Sequence, residues 1–115
     1  MEPKEILKLA VDAADDKKAK SITALNMQGV SLLADYFVIC HGSSAKQVQA
    51  IAREIKDQAH LSDLNVQRME GFDDAKWVLI DLDDVVVHVF NEDERYYYNL
   101  EKLWGDAKEM EVQNV

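Results

Sequence analysis

The stretch Trp77-Val78-Leu79-Ile80-Asp81-Leu82-Asp83-Asp84-Val85-Val86-Val87-His88-Val89-Phe90 decides how this chain folds. Two runs of aliphatic, β-branched and aromatic residues flank Asp83-Asp84, a pair of turn-formers. That is the pattern of a β-hairpin closed by a two-residue turn. Such a turn sets the register, so Leu82 faces Val85, Ile80 faces Val87 and Val78 faces Val89. Alternate residues of a strand point to opposite sides. Those six side chains therefore make one wholly apolar face, which packs the core. The other face carries Trp77 beside Phe90, Leu79 beside His88, and Asp81 beside Val86. Large aromatics, aliphatics and two ionisable groups together have the composition of an interface centre. The alternative is a covering helix of the same chain, with Asp81 and His88 satisfying each other diagonally across the strands.

Downstream, a last helix starts near Asn91, with Glu92, Asp93 and Glu94 at its positive end. Tyr97, Leu100 and Trp104 share one face of it, Leu103 lies beside them, and Gly105 is the stop. Residues 106 to 115 read as a mobile acidic tail beyond a single domain spanning residues 1 to 105.

Upstream, Ile6, Leu7, Ala10, Val11 and Ala14 recur at helical spacing and predict a helix over residues 3 to about 18. Pro3 is tolerated in its first turn, and Lys17, Lys18 and Lys20 lie near its carbonyl end. A short β segment runs from Ile22 to Met27. The run Tyr36 to Cys40 is a second, ended by Gly42-Ser43-Ser44. Ser44 and Gln47 form a capping-box pattern. The helix they open places Ile51, Ala52, Ile55 and Ala59 at offsets 3, 4, 7 and 11 from Val48, a clean apolar stripe. Asn65 to Met69 is a weaker strand, followed by the polar loop Glu70 to Asp74. The order α-β-β-α-β-β-β-α predicts an α+β fold: a mixed sheet of about five strands flanked by helices.

Composition narrows the function. The chain has 115 residues, with 13 Lys+Arg against 22 Asp+Glu, a formal net charge of −9. That balance disfavours broad contact with a phosphate backbone and favours a basic protein as partner, or simply solubility. Arg53, Arg68 and Arg95 are isolated, and Asp15-Asp16 answer Lys17-Lys18, so sequence-specific nucleic-acid binding is not expected. Tyr96-Tyr97-Tyr98 reads as packing of the last helix onto the sheet. The polar, acid-bearing start carries no secretory signal, and the apolar stretch Leu32 to Cys40 is far too short to span a bilayer. The lone Cys40 fits a reducing, cytoplasmic location.

Catalytic chemistry finds little support. Asp81-Leu82-Asp83 on a strand, with Gly42-Ser43 after another strand, invites a metal-dependent nucleotidyltransferase reading, since alternate acids on a strand can hold a divalent cation together. A whole helix and a further strand separate the two parts, and Asp83 falls in the turn. Cys40-His41, His60 and His88 are too scattered for a zinc site, and Gly42-Ser43-Ser44 lacks the length and lysine of a P-loop. No cofactor, metal or catalytic residue is assigned.

Ala34 through Ile39, Ser44 through Ala52, Trp77 through Phe90 and Arg95 through Trp104 together resemble the ribosomal silencing factor family (RsfS, also called Iojap or YbeB). The likeness runs in order from about residue 3 to 104. It is carried by the co-occurrence of Trp77, Asp81, Asp84-Val85, His88-Val89, Arg95, Tyr98, Leu100-Glu101 and Leu103-Trp104. It implies a nucleotidyltransferase-like fold without catalytic residues. It also implies binding to the large ribosomal subunit through a basic ribosomal protein of the L-fourteen family. An occupant of that surface blocks association with the small subunit and represses translation under nutrient limitation. Homodimers through an overlapping surface are implied as well. The family usually has glycine where this chain has Asp83, so Asp83 must take a backbone conformation that glycine adopts more cheaply, or the turn type changes. Residues and resemblance converge on one partner-binding set: Trp77 as apolar anchor, Leu79 and Phe90 around it, Asp81 for an arginine or lysine, and His88 positioning Asp81.

Overall fold

The computed structural model describes residues 1–112 of the chain. Its elements are α1 (Pro3–Asp16), β1 (Lys20–Asn26), β2 (Tyr36–Gly42), α2 (Ala45–Leu61), β3 (Arg68–Glu70), β4 (Trp77–Asp81), β5 (Val85–Asn91), α3 (Glu92–Tyr98), α4 (Leu100–Leu103) and β6 (Lys108–Met110). The fold is α+β. Six strands form one open mixed sheet in the order β3-β4-β5-β2-β1-β6. β2 and β5 run parallel at its centre, and the other pairs are antiparallel.

The hairpin register follows the parity of the sequence: Trp77 pairs with Phe90, Val78 with Val89, Leu79 with His88, Ile80 with Val87 and Asp81 with Val86. The apolar face of Val78, Ile80, Leu82, Val85, Val87 and Val89 packs beneath α1 and α2 in one core cluster. Burying six such side chains, each worth roughly 1.5–3 kcal/mol, makes a one-residue register slip prohibitive. β2 is buried along its whole length and β5 nearly so, as expected of strands covered on both faces.

α2 buries Val48, Ile51, Ala52, Ile55 and Ala59, the stripe read from its spacing. Its cap differs in one detail. Ser44 Oγ accepts from the Gln47 backbone N–H at 3.1 Å, whereas Gln47 Oε1 accepts from the Ser43 N–H at 2.7 Å, one residue earlier than a reciprocal box requires.

Two expectations at the C-terminal end are corrected. The last helix is not continuous: Asn99 takes the left-handed conformation (φ 47°, ψ 60°) and separates α3 from α4. Arg95 and Leu100 are both buried, yet residues five apart do not share a face of an unbroken helix. The break at Asn99, a residue that tolerates this conformation, turns both inward. It leaves Tyr97 79% exposed instead of sharing a face with Leu100. The tail expected to be mobile from residue 106 contains β6, which pairs antiparallel with β1 through Ala24–Met110, Leu25–Glu109 and Asn26–Lys108. It covers an edge of β1 whose N–H and C=O groups would otherwise stand open, and it makes the sixth strand. Residues 113 to 115 of that expected tail lie outside the described residues.

Candidate partner-binding face

The sheet face opposite α1 and α2 carries a second cluster of Leu25, Met27, Ala34, Phe37, Ile39, Val86, Phe90 and Leu100, with Trp77, Leu79 and Trp104 partly buried against it. α3 and α4 cover part of this face. Tyr98 lies 4.8 Å, centroid to centroid, from Trp77 and 6.2 Å from Phe90. Trp104 meets Phe37 edge-on at 5.8 Å. The cover is incomplete, because Trp77 and Leu79 stay half-exposed and Tyr98 is 46% exposed.

Parity brings the five expected residues to this face, but not into equivalent roles. Phe90 is fully buried and His88 nearly so, so neither offers surface to a partner. Phe90 stacks under Trp77 at 5.1 Å. His88 accepts a hydrogen bond at Nδ1 from the Trp77 indole N–H at 3.1 Å, and its ring meets Phe37 at 4.7 Å. The expected Asp81–His88 pairing is therefore replaced by Trp77–His88. With Nδ1 accepting, the neutral ring carries its proton on Nε2, which is buried without a hydrogen-bond partner among the described residues. Desolvation pushes the His88 pKa down to about 4, so the ring is neutral at physiological pH.

Asp81 is half-buried, and its carboxylate is already engaged. Oδ1 accepts from the Asp83 backbone N–H at 2.9 Å, and Oδ2 lies 3.5 Å from Arg68 Nε. Asp83 has φ 75°, the positive value that the first residue of a II′ turn requires and glycine takes most cheaply. The turn closes with Leu82 N–H donating to Val85 O at 2.9 Å. The Asp81–Asp83 pair is thus a turn-closing contact. Gly42 pairs with Asn91 at the far end of β5 from that turn, so the two parts of the nucleotidyltransferase reading do not meet. No group of three or more His, Cys, Asp or Glu suited to a metal occurs among the described residues. Cys40 is fully buried, and desolvation pushes its thiol up to about 12, a small core hydrophobe in effect.

Arg95, read from sequence as an isolated cation, is buried beneath this layer. Its guanidinium donates to Ser21 O at 2.7 Å, Thr23 Oγ1 at 3.2 Å and Glu101 Oε2 at 3.3 Å, and to His41 Nδ1 at 3.0 Å. One side chain thereby ties α3 to β1, β2 and α4. Burial first, then the adjacent Arg95 charge, hold the His41 pKa below its ordinary value. The only sequence signal was an arginine inside an aromatic-rich segment, which does not say what it touches.

Comparison with known proteins adds a family. A family model described as "Ribosomal silencing factor during starvation" matches residues 1–115. The ribosomal silencing factor RsfS of Bacillus subtilis is 69% identical over 107 residues, covering 93% of this chain and 91% of its own. That of Halalkalibacterium halodurans is 61% identical over 115 residues, covering 100% and 98%. A crystal structure of a Chromobacterium violaceum protein superposes with a TM-score of 0.90 at 37% identity, over 91% of this chain and 88% of that one.

Proposed function

The chain belongs to the ribosomal silencing factor family, a regulatory and non-enzymatic family, and from that premise we propose that it docks on the large ribosomal subunit through the half-covered sheet face around Trp77. The partner there is a basic ribosomal protein of the L-fourteen family. Occupying it sterically blocks association with the small subunit and represses translation when nutrients are scarce. The observation that carries this reading is a tryptophan held half-exposed over a stacked, buried base, with Leu79 and Tyr98 beside it. Such pre-positioned aromatics concentrate binding energy. A chain of net charge −9 suits a basic partner. Asp81, already beside Arg68, is a rim acid in this reading, and His88 and Phe90 act from beneath through Trp77.

No helix among the described residues is long and apolar enough to cross a membrane. A cytoplasmic location is part of the same proposal, because that is where it would meet ribosomal subunits. A second copy using the same face gives the homodimer, so dimerisation and subunit binding exclude each other.

The test is subunit joining. Large and small subunits are mixed with and without the purified protein and resolved on a density gradient. The proposal predicts fewer joined ribosomes and the protein migrating with large subunits alone. Undiminished joining with the protein bound in excess would overturn the blocking mechanism.

A further inference from the structure

The loop between β1 and β2 exposes two adjacent leucines, Leu32 at 106% and Leu33 at 78%. Hydrogen bonds tie the chain on both sides of the pair. Val30 N–H and Ser31 N–H both donate to Met27 O, at 3.0 and 2.9 Å, and Leu33 N–H donates to Ser31 Oγ at 3.1 Å. On the far side Asp35 N–H and Tyr36 N–H both donate to Asp84 O, at 2.8 and 3.1 Å. Ala34 is buried and Val30 half-buried in the cluster that holds Trp77, Leu79 and Trp104. The leucine pair is thus carried by a rooted turn at the Asp83–Asp84 end of the hairpin, while Trp77 stands at the other end of the same face. Contiguous, solvent-exposed leucines on a hydrogen-bonded turn bury nothing in the fold and mark a contact surface.

Charge identifies the occupant. Asp35, Asp83 and Asp84 surround the base of the loop, and the Asp84 carboxyl is held above its ordinary pKa by burial first, then by its neighbours Asp83 and Asp35. A second copy meeting this patch across a two-fold axis would set acids against acids. A nucleic-acid backbone or an anionic membrane is repelled likewise. A basic protein surface with an apolar notch satisfies both features.

We infer that the Leu32–Leu33 loop, with Asp35, Asp83 and Asp84 at its base, is a second docking point for the same basic protein that occupies the Trp77 face. The leucines enter an apolar notch and the carboxylates receive lysine or arginine from its rim. This rests on the proposed ribosomal reading and deepens it: one partner is gripped at both ends of the β4–β5 hairpin.

The experiment compares full-length wild type, Leu32→Ser/Leu33→Ser, Asp83→Asn/Asp84→Asn and Trp77→Ala by co-sedimentation with isolated large subunits across a salt series. Circular dichroism checks that each variant is folded. The leucines are solvent-exposed and asparagine tolerates the positive φ at residue 83, so both double variants keep the fold. The leucine variant is expected to bind about tenfold more weakly. The asparagine variant is expected to lose much of the salt dependence. Wild-type affinity and salt response in both double variants, with binding lost in Trp77→Ala, would overturn the second docking point and leave the ribosomal reading intact. Wild type failing to bind large subunits at all would overturn both.

Discussion

Trp77 donates its indole N–H to Nδ1 of the buried His88 across 3.1 Å, from the adjoining strand of the same hairpin. That bond fixes two things together. It sets the tautomer of a histidine whose Nε2 has no hydrogen-bond partner among the described residues, and it holds the indole against Phe90 in the orientation the proposed partner would meet. The ordering entropy of a large side chain is thereby spent on folding, before any encounter.

His88→Phe keeps the ring and removes the acceptor. The Trp77 indole N–H then loses its partner, and its NMR resonance should move toward that of a solvent-bonded indole. Binding to large subunits should weaken by a factor of several while the fold is kept. An unmoved indole resonance would show that the bond does not set the orientation of Trp77.

Stability should fall with acid through a histidine. His88 has an ordinary value of 6.5 and a folded value of about 4, so between them the unfolded chain binds the proton and the native one does not. Its contribution is therefore complete above about pH 6.5 and is lost as pH falls toward 4, at up to about 1.4 kcal/mol per pH unit. Urea unfolding midpoints over that range should show a steeper acid loss in wild type than in His88→Phe. Parallel profiles would contradict the assignment. His41, also lowered, contributes with the same sign to both proteins.

Much of this was legible in the chain, and the pattern of what was not is physical. The hairpin register followed from a two-residue turn and strand parity, because a single-residue slip would turn six apolar side chains to the wrong face. The α2 stripe followed from 3.6-residue periodicity. The αL break at Asn99 was hidden, since it resolves a conflict between burying Arg95 and burying Leu100 that exists only once the sheet is present. β6 was hidden for a similar reason: Lys108-Glu109-Met110 has no strand signature, and its pairing depends on an open edge of β1. The residues of the candidate face were found by parity, but their roles depend on depth. Depth is set by what lies over each residue: Tyr98 of α3 reaches over Phe90, Phe37 and Trp77 flank His88, and Trp77 and Leu79 stay partly exposed.

Arg95→Ala should be strongly destabilising. It removes donors to Ser21 O, Thr23, His41 and Glu101, and leaves a carboxylate whose Oε1 is already buried without a hydrogen-bond partner among the described residues. Loss of one member of such a buried network costs about 3–5 kcal/mol. Denaturant unfolding checks this, and a cost below about 1 kcal/mol, the range of a surface pair, would contradict it.

Gly71 supports Trp77 from behind. At φ +80° it lies so close to β4 that an added Cβ would sit 2.1 Å from the Trp77 carbonyl oxygen. Gly71→Ala should cost about 2 kcal/mol or more, from backbone strain together with displacement of the start of β4. Asp83→Gly should act in the opposite direction. Relief of the positive φ at residue 83 is offset by unfolded-state entropy, for a net gain of about 0.5 kcal/mol. Thermal unfolding of the two variants should move Tm in opposite senses.

Docking on the large subunit through the face around Trp77 is read by co-sedimentation of wild type and Trp77→Ala with isolated large and small subunits at moderate salt. Wild type should sediment with large subunits only. A folded Trp77→Ala should lose on the order of 2 kcal/mol of that affinity, about thirtyfold. A folded Trp77→Ala that binds large subunits as tightly as wild type would contradict it.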